Sequence, residues 1–178
     1  MKPIQMAGPW VTKIEKTTVA EMMENGWDDY DYVEKFEAAF AEWHDRKYCL
    51  MTPCCTHAIH LLLLALGINE GDEVIVPECT WTATAAPVTD LKATPVFADI
   101  ELDTFNLDPD SLEKNITPLT KAVVVTNIFG HSANYKKISK IAKKHNIKII
   151  EDNAQAPGAL YEGRYTGTLG DIGVFSLN

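Results

Sequence analysis

From residue 47 onward, short apolar runs alternate with stretches in which apolar residues return every three or four positions. The runs predict strands and the periodic stretches predict helices. Strands are expected at 47–51, 73–76, 94–98, 122–126, 147–151 and 172–176. Helices are expected at 56–66, 81–91, 108–115 and 133–145. The 56–66 stretch is apolar nearly all round, which predicts a buried helix. Upstream, 3–26 reads as an arm and a helix, with Met22, Met23 and Trp27 as apolar contacts. Residues 28–44 read as an amphipathic helix in which Val33, Phe36, Phe40 and Trp43 share a face between Glu34, Lys35, Glu37 and Glu42. That aromatic stripe is read as core packing.

Punctuation supports these boundaries. Gly71 and Asp72 make a turn before one strand, Pro77 closes it, and Pro109 suits the first turn of a helix. Continuous apolar strands such as Val123, Val124 and Val125, alternating with helices, imply an α/β fold. Its central sheet is mostly parallel and flanked by helices on both faces. Ligands of such sheets sit beyond the carboxyl ends of the strands. No repeat, low-complexity stretch or linker divides the chain, so one domain over residues 1–178 is expected.

Composition narrows the picture modestly. The 178 residues are 46% hydrophobic and 23% charged, as in ordinary globular proteins, and the net charge is −9. That charge argues against nucleic acid or an anionic membrane as the main partner, but not against a local anion site built from backbone N–H groups. The longest apolar run, residues 60–66, is too short to span a bilayer, and residues 1–10 carry no secretory pattern. Cys49, Cys54, Cys55 and Cys79 fit neither paired metal-ligand spacing nor a disulfide scaffold, so free thiols and a cytoplasmic location are expected.

Three strand ends carry candidate chemistry. After the first expected strand, residues 52–57 turn into a helix. Thr56 and His57 there either receive a phosphate at the helix N-terminus, or Thr56 is simply an N-cap. After 147–151 stand Asp152 and Gln155. An acid at that place serves a metal, a ribose hydroxyl or a protonated ring nitrogen, or else closes a turn. After the last strand, Ser176 offers a hydroxyl. Dinucleotide, P-loop and nucleophile-elbow glycine patterns are all missing.

Taken in order, several blocks resemble the DegT/DnrJ/EryC1/StrS family, the sugar aminotransferases of the pyridoxal-phosphate (PLP) fold-type I class. The blocks are residues 56–66, 65–77, 80–84, 93–99, 116–122, 149–155 and 167–176, so the likeness runs from about Met6 through the chain. The resemblance implies the large, PLP-binding domain of that fold. It implies that Thr56 and the N–H of His57 hold the cofactor phosphate, with a further hydrogen bond from Ser176. Trp81 would stack on the pyridine ring, its alternative being core packing. Asp152 would pair with the pyridinium nitrogen and Gln155 with the phenolic oxygen. The implied reaction moves an amino group from an amino acid, glutamate by family habit, to a keto sugar carried on a nucleotide, within a homodimer.

The sequence departs from the family in places. Asn127 and Pro157 stand where the family commonly has histidine, and Cys55 where glycine is common. The family's Schiff-base lysine lies about five residues after the Ser176 position, hence past Asn178, and a smaller C-terminal domain follows it. A segment of a longer polypeptide, or a truncation, is therefore expected. Two rivals remain. One is a dehydratase of the same family with histidine at the lysine position; the other is a non-catalytic fragment or regulatory domain.

Overall fold

The computed structural model describes residues 11–25 and 31–177. In chain order these form α1 (Lys13–Asn25), α2 (Asp31–Trp43), α3 (Cys55–Ala65), β1 (Glu73–Pro77), α4 (Thr82–Asp90), β2 (Thr94–Ala98) and α5 (Pro109–Asn115). They continue with β3 (Thr120–Thr126), a 3-10 turn at Ile128–Gly130, α6 (Tyr135–His145), β4 (Lys148–Asn153), β5 (Leu160–Tyr161), β6 (Arg164–Tyr165) and β7 (Ile172–Phe175). Trp27, the arm before Trp10 and the expected first residues of the second helix lie outside the described residues.

Five strands build one sheet in the order β2-β1-β3-β4-β7, and every neighbouring pair is parallel. The pleat sends alternate side chains to opposite faces. Val74, Val76, Ala122, Val124, Ile150 and Val174 face one way and pack with Ile59 and Leu63 of α3 and Val88 of α4. Ile75, Val123, Val125 and Ile149 face the other way and pack with Leu112 of α5 and with Ile138 and Ile141 of α6. The expected parallel sheet with both faces covered is what forms. Connections leave β1 toward β2 on one side and leave β3 toward β4 on the other. The strand order therefore reverses between β1 and β3, which opens a crevice at their carboxyl ends.

Local chemistry sets the helix ends. The Asp108 carboxylate accepts the Asp110 N–H at 2.9 Å, with Pro109 in the first turn of α5. Asn134 caps α6 by accepting the Lys137 N–H at 3.2 Å, and Asn146 ends it in the left-handed region at φ 54°.

Three expectations are corrected. Residues 47–51 form no strand: Tyr48 and Leu50 are 75% and 80% exposed, and the Met51 N–H donates to a Glu37 carboxylate oxygen at 2.6 Å instead of joining a ladder. Helix α3 is buried on one face only, through Ile59 and Leu63, while Leu61 and Leu64 are half exposed. Met22 and Met23, expected as apolar contacts, are exposed on α1. The β5–β6 hairpin was not anticipated. Its turn residues Glu162 and Gly163 both have positive φ, the twist that suits a two-residue hairpin loop.

Candidate cofactor site at the carboxyl ends of the strands

Near its carboxyl end, just before Asn153, strand β4 carries two successive acids that the pleat sends to opposite faces. Glu151 is fully buried and accepts N–H bonds from Gly167 at 2.6 Å, Leu169 at 2.6 Å and Gly170 at 2.5 Å. It ties the loop before β7 to the underside of the sheet. Burial nevertheless pushes its carboxyl above the usual range, against the pull of those N–H groups.

Asp152 faces the other way, toward α3 and α4, and is only 4% exposed. Its Oδ2 accepts the Thr84 hydroxyl at 2.8 Å and its Oδ1 accepts the Ala154 N–H at 3.1 Å. The Cys55 sulfur, in the first turn of α3, lies 4.0 Å from Oδ1. Burial raises the Asp152 carboxyl, while the Ala154 N–H and the Thr84 and Thr126 hydroxyls draw it down. A buried carboxylate with no cationic side chain bonded to it among the described residues suits a partner that brings its own positive charge.

Around Asp152 the strand ends supply other chemistry. Trp81 precedes α4 as its N-cap and is 74% exposed. Among the described residues no ring stacks on its indole. At the start of α3 the Cys54 sulfur lies 3.3 Å from Nδ1 of His57, and the backbone N–H of His57 holds that thiol below its usual range. The first turn of α3 thus already favours negative charge, as a phosphate would require. Gln155 is exposed, and its Oε1 accepts the Phe129 N–H at 3.0 Å. Ser176 follows β7 directly, one residue past the Phe175–Asn153 pairing. The residues present therefore fit a flat, phosphorylated ring with a protonatable nitrogen.

A model of the DegT/DnrJ/EryC1/StrS aminotransferase family matches residues 10–178. The chain belongs to that family. The family is PLP-dependent. The chain is 40% identical over 179 residues to the GDP-perosamine synthase of Escherichia coli O157:H7, a match covering 99% of this chain and 49% of that protein. It superposes with a TM-score of 0.89 and 38% identity on an aminotransferase from Psychrobacter cryohalolentis, over 94% of this chain and 43% of that one. It is also similar, at a TM-score of 0.88 and 29% identity, to an E. coli GDP-4-keto-6-deoxy-D-mannose-3-dehydratase with bound hydrated PLP, over 96% and 46% of the two chains. The chain spans about half the length of the curated relatives it matches.

Some residues of this site carried no signal by themselves. Thr80, Thr84 and Thr126 surround Asp152, yet nothing marks a lone threonine as functional. The one available clue is spacing: Thr80 and Thr84 are four apart beside Trp81, which puts them on one side of a helix start. Asn127, which stands where the family commonly has histidine, is fully buried. Its Nδ2 donates to the Tyr135 hydroxyl at 2.8 Å and to Asn153 Oδ1 at 2.7 Å, and its Oδ1 accepts the Ala133 N–H at 2.9 Å.

Proposed function

We propose that this chain is the cofactor-holding part of a PLP-dependent aminotransferase that carries an amino group from an amino acid, glutamate by family habit, to a nucleotide-linked keto sugar. The observation that carries the reading is Asp152, a buried carboxylate at the carboxyl end of a central parallel strand, bonded to Thr84 of α4, the helix whose N-cap is the exposed Trp81. When bound, PLP supplies an electron sink for charge developing at the substrate carbon.

The chain's own residues prepare that chemistry. Asp152 holds a proton on the ring nitrogen. Trp81 offers its face to the ring and excludes water from that side. Gln155 has its oxygen engaged by the Phe129 N–H, which leaves its amide N–H groups to donate to the phenolic oxygen. Thr56, the His57 N–H and Ser176 hold the phosphate. The assembly is a homodimer in the cytoplasm.

A second reading, a keto-sugar dehydratase, is favoured by the likeness to the E. coli 3-dehydratase. The residue at the family's lysine position separates the two: lysine is expected for the transferase and histidine for the dehydratase.

The test is Asp152→Asn in the complete gene product. PLP affinity is expected to fall by about tenfold or more, the worth of a charge-assisted bond in a dry site, with the fold intact by circular dichroism. Undiminished PLP affinity in a folded variant would remove Asp152 from this role.

A further inference from the structure

Behind Asp152 lies a file of three hydroxyls. Thr84 Oγ1 is 2.8 Å from Asp152 Oδ2, Thr80 Oγ1 is 2.8 Å from Thr84 Oγ1, and Thr126 Oγ1 is 3.1 Å from Thr80 Oγ1. The file crosses the crevice at the strand reversal. Thr80 follows β1, Thr84 lies on α4, and Thr126 ends β3 in register with Asp152 on β4.

Proton counting gives this file a direction. An ionised carboxylate only accepts, so Thr84 must give its one proton to Asp152. Thr84 can then only accept from Thr80, and Thr80 in turn only from Thr126. All three hydroxyl dipoles point the same way, toward the acid, and such chains polarise one another. Thr84 is fully buried and Thr126 is 4% exposed, so water does not readily replace a missing link. Thr84 is also tied to the indole-bearing turn, since its backbone N–H donates to the Trp81 carbonyl at 2.9 Å.

We propose that Thr84 is a positioning residue for Asp152, the last link of a one-way hydroxyl chain from Thr126 through Thr80 that keeps the carboxylate ionised and aimed at the cofactor ring nitrogen. The proposal rests on the reading of Asp152 as the ring-nitrogen partner. It also registers two contacts to the ring against each other: one residue fixes the Asp152 carboxylate through its side chain and the start of Trp81's helix through its backbone. The remaining groups that face the acid are the Cys55 thiol from α3, the Ala154 N–H and the Thr126 hydroxyl at the end of β3. The thiol and the N–H cannot take over the bond to Oδ2, because both lie at Oδ1.

The experiment is titration of PLP into the apo forms of wild type, Thr84→Val, Thr84→Ser and Asp152→Asn, each as the complete gene product. Binding is read from the dissociation constant and from the induced visible circular dichroism of the bound cofactor; apo melting is recorded alongside. Valine keeps the volume of threonine and removes the proton; serine keeps the proton and removes the methyl. Thr84→Val is expected to weaken PLP binding about tenfold and change the dichroic signal, while Thr84→Ser stays within about threefold of wild type. Wild-type binding by Thr84→Val alongside a loss in Asp152→Asn would overturn the positioning role and leave the Asp152 reading standing. Wild-type binding by both would sink the Asp152 reading itself. Equal losses in the valine and serine variants would assign the effect to the methyl and overturn the proposal. Should Thr84→Val not fold, Thr80→Val, one link back, carries the test: a smaller loss in the same direction supports the chain, and no change overturns it.

Discussion

At Asp152, burial and hydrogen bonding pull against each other, and burial is the larger influence. The sign of its effect on stability follows from linkage. The folded value lies above the unfolded one, so the native state binds the proton more tightly. Stability is fullest below the ordinary aspartate range and is lost as pH rises from there through the raised folded value. Glu151 adds in the same direction. The apo Asp152→Asn protein is therefore expected to melt at or above the wild-type temperature at pH 7, with the difference closing toward pH 4. Thermal scans at the two pH values measure it, and a variant several degrees less stable at pH 7 would contradict the argument. The adjacent thiols part company in the same way. Cys54 is exposed and its thiol is lowered by the His57 N–H, whereas burial pushes Cys55 up to about 12. In the apo protein near neutral pH, iodoacetamide should label Cys54 at least about tenfold faster than Cys55, since the thiolate is the nucleophile. Peptide mass spectrometry reads the ratio. Asp152 was visible in the sequence because it stands at the carboxyl end of a buried apolar run, where α/β sheets bind their ligands. Thr84 was not, because its importance arises only when the end of β4 is brought beside α4.

Among the elements, β7 and the loop before it are fitted backbone to backbone. A Cβ added at Gly173 would stand 2.5 Å from the Gly167 Cα and 2.6 Å from its carbonyl oxygen. Gly173→Ala must push strand from loop and is expected to cost about 3 kcal/mol. Gly71 is the contrast: φ is +90° with open space around it, so Gly71→Ala costs only the backbone strain of about 1 kcal/mol. Urea unfolding of both variants should rank them in that order. The strands of the sheet were legible because two buried faces demand continuous apolar runs. Residues 47–51 carry a similar run of Tyr48, Leu50 and Met51, but a strand also needs a ladder partner, which pattern alone does not report. The helix over residues 56–66 was legible in extent and misread in burial, since Leu61 and Leu64 look the same on paper as Leu63. Hairpin β5–β6 escaped because each strand is only two residues long, too short for any periodicity.

Across the whole molecule, the sheet separates two cores that must form together. Leu63 of α3 has no exposed surface and packs in the core under the site. Leu63→Ala is expected to cost about 2–5 kcal/mol. In urea this should appear as a lower midpoint with an unchanged slope, the mark of one cooperative unit; a split transition would show that the two sides of the sheet unfold separately. Among the described residues no helix is long and apolar enough to cross a membrane. The paired acids of β4 add a safeguard to this architecture. Shifting that strand by a single residue would carry Glu151 into the crevice and Asp152 against the glycine loop, leaving three N–H groups facing a shorter side chain. Strand β4 is thus checked twice, once by the fit of its oils and once by the addresses of its two charges, and a misaligned chain fails both inspections.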